Sequence, residues 1–406
     1  MRPCLLLCLA AVCAALAPGA RAQDPSLTAL HATIAPLRTR FFDDSVTRGA
    51  TPEFASIKHQ LRDWIERQLG GVKSEDDDVR LALQLNDRLK QADLMCEAAG
   101  AAGTDRCDHG PRYDWNARGF VDDVRLEQQR YGQILVVRTA LGIECGYDDS
   151  AYVYERRDDE WYRLFESEQD PTDPDPNRYE PQTLVAVHVS DRLVLTLGHM
   201  GWCQSNWYPV YYRLWRVGDD GKPRLLLDGR ESAFLGAHEP PILGSVGSAD
   251  LLVEFNVGSL DSDVHNRPAV RHFAINGDTV QRIDPIALTP RDFVEEWIEQ
   301  EPSERAMWAD PRARASLARW RKPSDDSGYW GEFIGTRRCI KSTDLWQVGI
   351  RAHPHEKPTD IYFLVRWRPP YRFKMIDVAT RPWHDCSQDD PDADMPQTLF
   401  PVQDWR

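Results

Sequence analysis

The stretch Leu184–Gly229 decides the expected fold. It reads LVAVHVSDRLVLTLG (184–198), HMGWCQSNWYP (199–209), VYYRLWRV (210–217), GDDG (218–221) and KPRLLLDG (222–229). Apolar, β-branched and aromatic residues alternate or run together, and Gly, Asp and Pro interrupt them, which is typical of strands joined by turns. The stretch therefore predicts antiparallel strands.

Looser copies of this unit lie immediately upstream and downstream. The upstream copy reads ILVVRTALG (134–142), AYVYE (151–155) and WYRLFES (161–167). The downstream copy reads LLVEFNVG (251–258), AVRHFAI (269–275) and TVQRIDPI (279–286). Equivalent strands end at Gly142, Gly198 and Gly258, 56 and 60 residues apart. This repetition predicts an array of antiparallel hairpins, a propeller-like fold; a β-sandwich followed by a C-terminal α+β module is the alternative.

In such an array, long loops emerge at one end and tight turns at the other. We expect each strand that ends near one of these glycines to pair antiparallel with the next strand. Asn-Gly favours a tight hairpin because both residues tolerate positive φ. The tight turns are expected at Asp158-Asp159, Asp219-Asp220 and Asn276-Gly277.

The chain is divided by pattern into five segments, namely a signal peptide (1–22), a helical segment (23–112), a β-hairpin body (113–287), a helix pair with a β module (288–386) and a mobile acidic tail (387–406). Helical spacing of apolar residues predicts the faces of three helices. Their expected apolar stripes are Phe54, Ile57, Leu61, Trp64, Ile65 and Leu69; Val79, Leu81, Leu85, Leu89 and Leu94; and Phe293, Val294, Trp297 and Ile298. A fourth helix is expected from Asp310-Pro311 through Leu317 and Trp320.

The first residues indicate export. A basic start, an apolar run from Cys4 to Leu16 and small residues before Gln23 have the order of a cleaved secretory signal, and the run is too short to span a bilayer. Loss of Arg2 and Arg21 would take the formal net charge from −15 to −17. Such acidity disfavours nucleic acid and anionic membrane surfaces as partners. We expect a periplasmic or extracellular protein.

Six of the nine cysteines follow the signal segment. An even number in an exported chain indicates disulfides rather than thiol catalysis, which argues against His384 with Cys386 or His199 with Cys203 as catalytic pairs. Neighbouring repeats would bring two of the long loops together. The expected bridges are Cys96–Cys107, Cys145–Cys203 and Cys339–Cys386.

No cofactor or catalytic motif is present. The chain has no nucleophile elbow, P-loop, dinucleotide fingerprint or HExxH pattern, so no cofactor and no catalytic residue is predicted. His353, His355 and Glu356 lie in one polar stretch but lack a third ligand of known position, and 170–181 resembles a calcium loop without its glycine and closing glutamate. We therefore predict no metal site. Paired carboxylates would be recognisable only in space.

The strongest functional pattern is aromatic. Trp202, Trp207 and Tyr208 lie among Gly, Gln, Ser and Asn in what the pattern presents as the long loop of the central unit. Flat amphipathic rings in a polar loop suit stacking on sugars or anchoring a protein partner, although they could equally cover the end of the sheet. The sequence favours an exported, non-enzymatic protein that binds a glycan or a protein. The alternative is an exported hydrolase with a spatially assembled acidic or histidine-containing site.

Overall fold

The fold is mainly β, as the sequence predicts. The computed structural model describes residues 24–36, 51–70, 78–94, 121–129, 133–143, 146–168, 182–200, 207–234, 242–260, 262–283, 287–318, 320, 331–352, 358–368, 372–386 and 388–389. Its helices are α1 (Pro25–Ile34), α2 (Thr51–Leu69), α3 (Asp78–Gln91), α4 (Pro290–Glu299), α5 (Pro302–Trp308) and α6 (Arg314–Leu317).

The strands form four antiparallel sheets. Sheet I contains β1 (Val121–Gln129), β2 (Ile134–Ile143), β3 (Gly146–Arg157) and β4 (Glu160–Glu166). Sheet II contains β5 (Gln182–Ser190), β6 (Leu193–Met200), β7 (Trp207–Val217) and β8 (Pro223–Phe234). Sheet III contains β9 (Ile242–Val246), β10 (Asp250–Ser259), β11 (Ser262–Asn276) and β12 (Thr279–Arg282). Sheet IV contains β13 (Gly331–Arg338), β14 (Leu345–Ala352), β15 (Thr359–Arg368), β16 (Arg372–Ala379) and β17 (Gln388–Asp389).

The expected repeat pairing is confirmed in sheets I to III. In each sheet the strand ending near Gly142, Gly198 or Gly258 pairs antiparallel with the strand that follows it. Tight turns join the third and fourth strands at the opposite end. Asp158 and Asp159 take φ of 49° and 66° in the first of these turns.

Sheets I and III each begin with a strand that the repeat pattern did not indicate. Val121–Gln129, a polar stretch within the expected β-hairpin body, pairs with β2. Ile242–Val246 pairs with β10. The polar composition of β1 explains why it was missed, since an edge strand pairs through its backbone and needs no apolar run.

Sheets I, II and III stack face to face. Side chains of sheet I, including Val136 and Val153, pack on Val187 and Val194 of sheet II. The opposite face of sheet II packs on sheet III through a second apolar cluster that includes Leu195. Sheet II is thus covered on both faces. This double burial explains why β6 is almost continuously apolar instead of alternating.

A helix layer covers the outer face of sheet I. Leu135, Val137, Leu141, Tyr152 and Tyr154 of the sheet share a core with buried residues of α1, α2 and α3. The predicted stripe of α2 is fully buried. In α3 the stripe is confirmed at Leu85 and Leu89, but Val79 is wrong. It lies in the first turn of the helix and is 62% exposed.

A second helix layer packs on sheet IV. Phe293, Val294, Trp297 and Ile298 of α4 are all buried there, as predicted. The helix begins with a capping box between Thr289 and Asp292.

The helix expected from Asp310 is wrong. α5 ends at Trp308, residues 311–313 form a turn, and only the short α6 follows. A backbone contact between Asp310 and Met375 of β16 draws the chain onto the sheet instead.

The Cys339–Cys386 disulfide is present and fastens β13 to the segment before β17. Cys96, Cys107, Cys145 and Cys203 lie outside the described residues. The division of the chain into five segments stays a prediction, and β17 pairs with β13 beyond residue 386.

The described contacts form a stack of sheets, and propeller closure is not established. No apolar cluster of the described residues joins sheet IV to sheet I.

Candidate functional site

The long-loop end of the stack is the candidate site. At this end β2 approaches β3, β6 approaches β7, and β10 approaches β11. It carries an aromatic ring, Trp207, that is held between two sheets. It also carries a buried carboxyl group, Asp149, at the seam between sheets I and II.

Trp207 and Tyr208 belong to strand β7, not to the loop in which the sequence pattern placed them. Their backbones pair with Phe234 and Ala233 of β8. The polar residues before them concealed this extension of the strand. Trp202 lies outside the described residues. The binding role of all three residues stays a prediction.

The Trp207 ring is partly buried and packs across a sheet boundary. It meets Phe234 edge-to-face, with ring centroids 5.1 Å apart. It also covers Gly258 of sheet III, where an added Cβ would lie 2.5 Å from Trp207 Cη2. Glycine at position 258 is therefore what allows the ring to approach the strand. Packing against Phe234 and Gly258 therefore fixes the position of the Trp207 ring without a ligand.

Asp149 and Arg138 of sheet I clamp an irregularity in β5. The register of β5 shifts between Leu184 and Ala186, which leaves local backbone groups outside the regular ladder. The Leu184 N–H donates to Asp149 Oδ2 at 2.7 Å. Arg138 donates to the carbonyl oxygen of Val185 at 3.1 Å and to that of Leu184. Side chains of one sheet thus satisfy the backbone of the next.

The Asp149 carboxyl has an unusual environment. Burial raises its pKa to about 7 against the opposing effects of the Leu184 N–H and the positive charge of Arg138. The guanidinium Nη2 lies 3.9 Å from Oδ2, a long ion pair. On the other face of β3, Asp148 forms a buried ion pair with Lys58 of α2 at 2.7 Å. A carboxyl that titrates near neutrality suits binding or proton transfer.

Hydrogen bonds fasten the strands around this seam. The Tyr147 N–H donates to Thr183 Oγ1 at 3.3 Å, and Tyr211 donates to the carbonyl oxygen of His199 at 2.9 Å. Thr183 and His199 are register partners in sheet II. Burial lowers the pKa of His199. The seam is therefore anchored through several strands.

A second polar cluster joins sheets II and III to α4. Glu296 accepts hydrogen bonds from Arg267 at 3.3 Å, from Arg282 at 2.6 Å, and from Arg271. Arg271 also donates to Glu231 of β8 at 2.9 Å. Burial alone would raise the pKa of Glu296, but the three guanidinium groups lower it to about 2. This cluster is a permanently charged junction and has little capacity for proton transfer.

The other candidate residues named from the sequence are a cysteine and a histidine-rich stretch. Cys386 is bonded to Cys339, which removes it as a nucleophile. His353, His355 and Glu356 lie outside the described residues. Within the described ranges, no group of three or more His, Cys, Asp or Glu side chains could hold a metal ion. No described helix is both long enough and apolar enough to cross a bilayer.

Sequence reasoning missed Asp149 and Glu296. The available signal for Asp149 was an Asp-Asp pair within a strand that becomes strongly apolar two residues later. Glu296 offered a weaker signal, as a charged residue between apolar positions of one helix. In both cases the partners are distant in the chain.

No protein family and no curated protein matches the chain. Its fold overlaps loosely with two structures of an α-L-arabinofuranosidase from Fusarium graminearum. One is a mutant of that enzyme with an iminosugar inhibitor, and the other is the GH93 enzyme with arabinobiose. Each has a TM-score of 0.25 and 8% identity, and covers 63% of this chain and 66% of that one. An overlap this loose carries no argument about fold or function, so the chain is not assigned to a family.

Proposed function

We propose that the protein is exported and binds a glycan at the long-loop end of its stacked sheets without catalysing a reaction. The observation that carries the proposal is the Trp207 ring, which is fixed on Gly258 and against Phe234 and remains partly exposed. A ring held in place loses little entropy on binding. Tryptophan also provides the flat amphipathic surface on which sugar rings stack.

Export is part of the proposal because the apolar start of the chain has the order of a secretory signal. Mass spectrometry of the protein made in its own host should find a mature form that begins after Ala22. Full-length protein alone, with Met1 retained, would contradict export.

The binding proposal is tested by affinity electrophoresis of the mature protein in gels that contain xylan, dextran, mixed-linkage β-glucan or arabinan. At least one polysaccharide should retard the wild-type protein, and Trp207→Ala should weaken that retardation at least tenfold. A matched control is Trp161→Ala, because Trp161 lies beside the tight turn at the opposite end of sheet I. Equal retardation of the wild type and Trp207→Ala would refute the proposal that Trp207 binds the glycan.

Asp149 favours a second candidate, an exported hydrolase. A carboxyl with a pKa of about 7 has the protonation state that a general acid needs at neutral pH. Release of reducing sugar from the retained polysaccharide, abolished in Asp149→Asn, would establish this alternative. Retention without release by the wild type would rule it out for that polysaccharide.

A further inference from the structure

The tight turn of sheet III contains an asparagine followed by a glycine, at the end of the stack opposite the candidate site. Asn276 is the last residue of β11 and pairs with Thr279, so Gly277 and Asp278 alone form the turn. All four residues are exposed. A side-chain amide and the N–H of the following glycine therefore lie next to each other in water.

Neither of these two groups is held by a neighbour. The Asn276 side chain makes no hydrogen bond to any described residue, and no described hydrogen bond uses the Gly277 N–H. The space around Gly277 is open, since a Cβ added there would meet no atom within 4 Å. Nothing in the described part of the chain therefore obstructs contact between the amide carbon of Asn276 and the backbone nitrogen of Gly277.

The equivalent turn of sheet II differs in this respect. It contains Asp220 followed by Gly221, but Asp220 Oδ1 accepts the Lys222 N–H at 3.1 Å. The Gly221 N–H donates to the carbonyl oxygen of Gly218 at 3.0 Å. In that turn both groups have other partners, and in the turn after Asn276 neither group has one.

The strand that follows the turn can open easily. For the Gly277 nitrogen to reach Asn276 Cγ, the backbone at Asn276 must leave the extended conformation. β12 has only four residues (Thr279–Arg282), is an edge strand, and has no fully buried side chain. The ends of such strands open at a low free-energy cost. Glycine assists the approach because it has no Cβ and takes many backbone conformations.

We propose that Asn276 is a site of spontaneous deamidation through a cyclic imide. The Gly277 nitrogen forms a bond to Asn276 Cγ, the Cγ–Nδ2 bond breaks, and the proton of the Gly277 amide leaves with the departing ammonia. Water then opens the imide ring. Attack of water at Cγ gives aspartate, and attack at the backbone carbonyl carbon of residue 276 gives isoaspartate. One water is consumed and one ammonia is released, with no oxidation or reduction.

The modification would act on the contact between sheets II and III. Asp278 forms ion pairs with Arg216, at 3.5 Å, and with Arg224, both in sheet II. An isoaspartyl link adds a methylene group to the backbone immediately before the turn, which displaces Asp278 from these partners. Deamidation should therefore weaken the contact between the two sheets at the tight-turn end, far from Trp207.

Peptide mapping by mass spectrometry after incubation of the folded protein at pH 8 tests the proposal. The peptide that contains Asn276 should gain about 1 Da and separate into aspartyl and isoaspartyl forms. Its conversion should be roughly tenfold or more faster than that of Asn256, which precedes the β-branched Val257 and lies within a strand. The rate should fall at pH 6, because the attacking nitrogen must lose its proton.

Asn276→Gln is the matched variant, since it keeps the amide but would have to close a larger ring. The mass gain should disappear from this peptide, and its persistence would overturn the assignment to Asn276. Conversion of Asn276 no faster than that of Asn256 in the folded protein, together with rapid conversion in urea, would show that the turn protects the site and would overturn the proposal. Aspartate without isoaspartate would overturn the cyclic route.

Discussion

Asp149 and Glu296 are both carboxyl groups buried between layers of the fold, and their pKa values move in opposite directions. Burial raises the pKa of Asp149 to about 7, whereas burial opposed by three guanidinium groups leaves that of Glu296 at about 2. The difference lies in the partners, since Asp149 has one arginine 3.9 Å away and Glu296 has three in hydrogen-bond contact. Burial with little counter-charge raises the pKa of a carboxyl group, so that it titrates near neutral pH. Burial with sufficient counter-charge keeps the group ionised and lets it hold its partners in ion pairs.

The largest expected effect concerns Glu296→Gln. The change removes the carboxylate that Arg267, Arg271 and Arg282 share. Arg267 and Arg271 are buried and keep only Glu295 and Glu231 as counter-charges, so the loss should cost about 3–5 kcal/mol of unfolding free energy. Urea denaturation measures this cost. Glu299→Gln, at an exposed position near the end of the same helix, serves as the control and should change stability by less than about 0.5 kcal/mol. Equal effects of the two substitutions would remove the structural role assigned to Glu296.

A second test concerns the predicted disulfide near Asp149, between sheets I and II. Tyr147 lies two residues after Cys145 and contacts Thr183, and Gln182 pairs with Met200, three residues before Cys203. These contacts support the predicted Cys145–Cys203 bridge, which should stabilise the fold by about 2–4 kcal/mol. Peptide mapping without reduction should recover the linked pair. A free thiol at either position would contradict the bridge, and the seam would then depend on non-covalent contacts.

A third test uses pH. Because the folded pKa of Asp149 exceeds its ordinary value of 3.8, the folded state keeps a proton that the unfolded state has released. This contribution to stability is complete at low pH and is lost as the pH rises to about 7. Between pH 5 and 8 the wild type should lose about 2–3 kcal/mol more than Asp149→Asn. Melts at both pH values measure the difference, and parallel curves would show that Asp149 has an ordinary pKa.

The smallest expected effect is that of Arg138→Met. It leaves the Leu184 and Val185 carbonyls without their donor, which should cost about 1–2 kcal/mol. It also removes the positive charge that opposes the rise in the pKa of Asp149, so the loss of stability should shift to higher pH. Urea denaturation across pH 5–9 measures both. A shift to lower pH would show that Arg138 does not act on Asp149.

Much of the sheet architecture was predictable because strand patterns and turns are local. The alternation in β7, β10 and β11 and the Asp and Asn-Gly turns located three of the four sheets and the direction of their hairpins. The sequence pattern does not indicate the polar edge strand β1, and it places Trp207 in a loop. Local composition alone does not reveal either strand segment. A strand can be recruited by a neighbouring backbone whatever its side chains.

The sequence by itself determined the mainly β class, the repeating hairpins, the buried faces of α2 and α4, and the Cys339–Cys386 pair. Only the tertiary structure decided which charged groups meet. Asp149 and Leu184 are 35 residues apart in the chain, and Glu296 and Arg271 are 25 apart. The apolar periodicity of a strand is a property of its own sequence. The pKa of a side chain depends instead on burial and on charges from distant parts of the chain, which come together only once the sheets have packed.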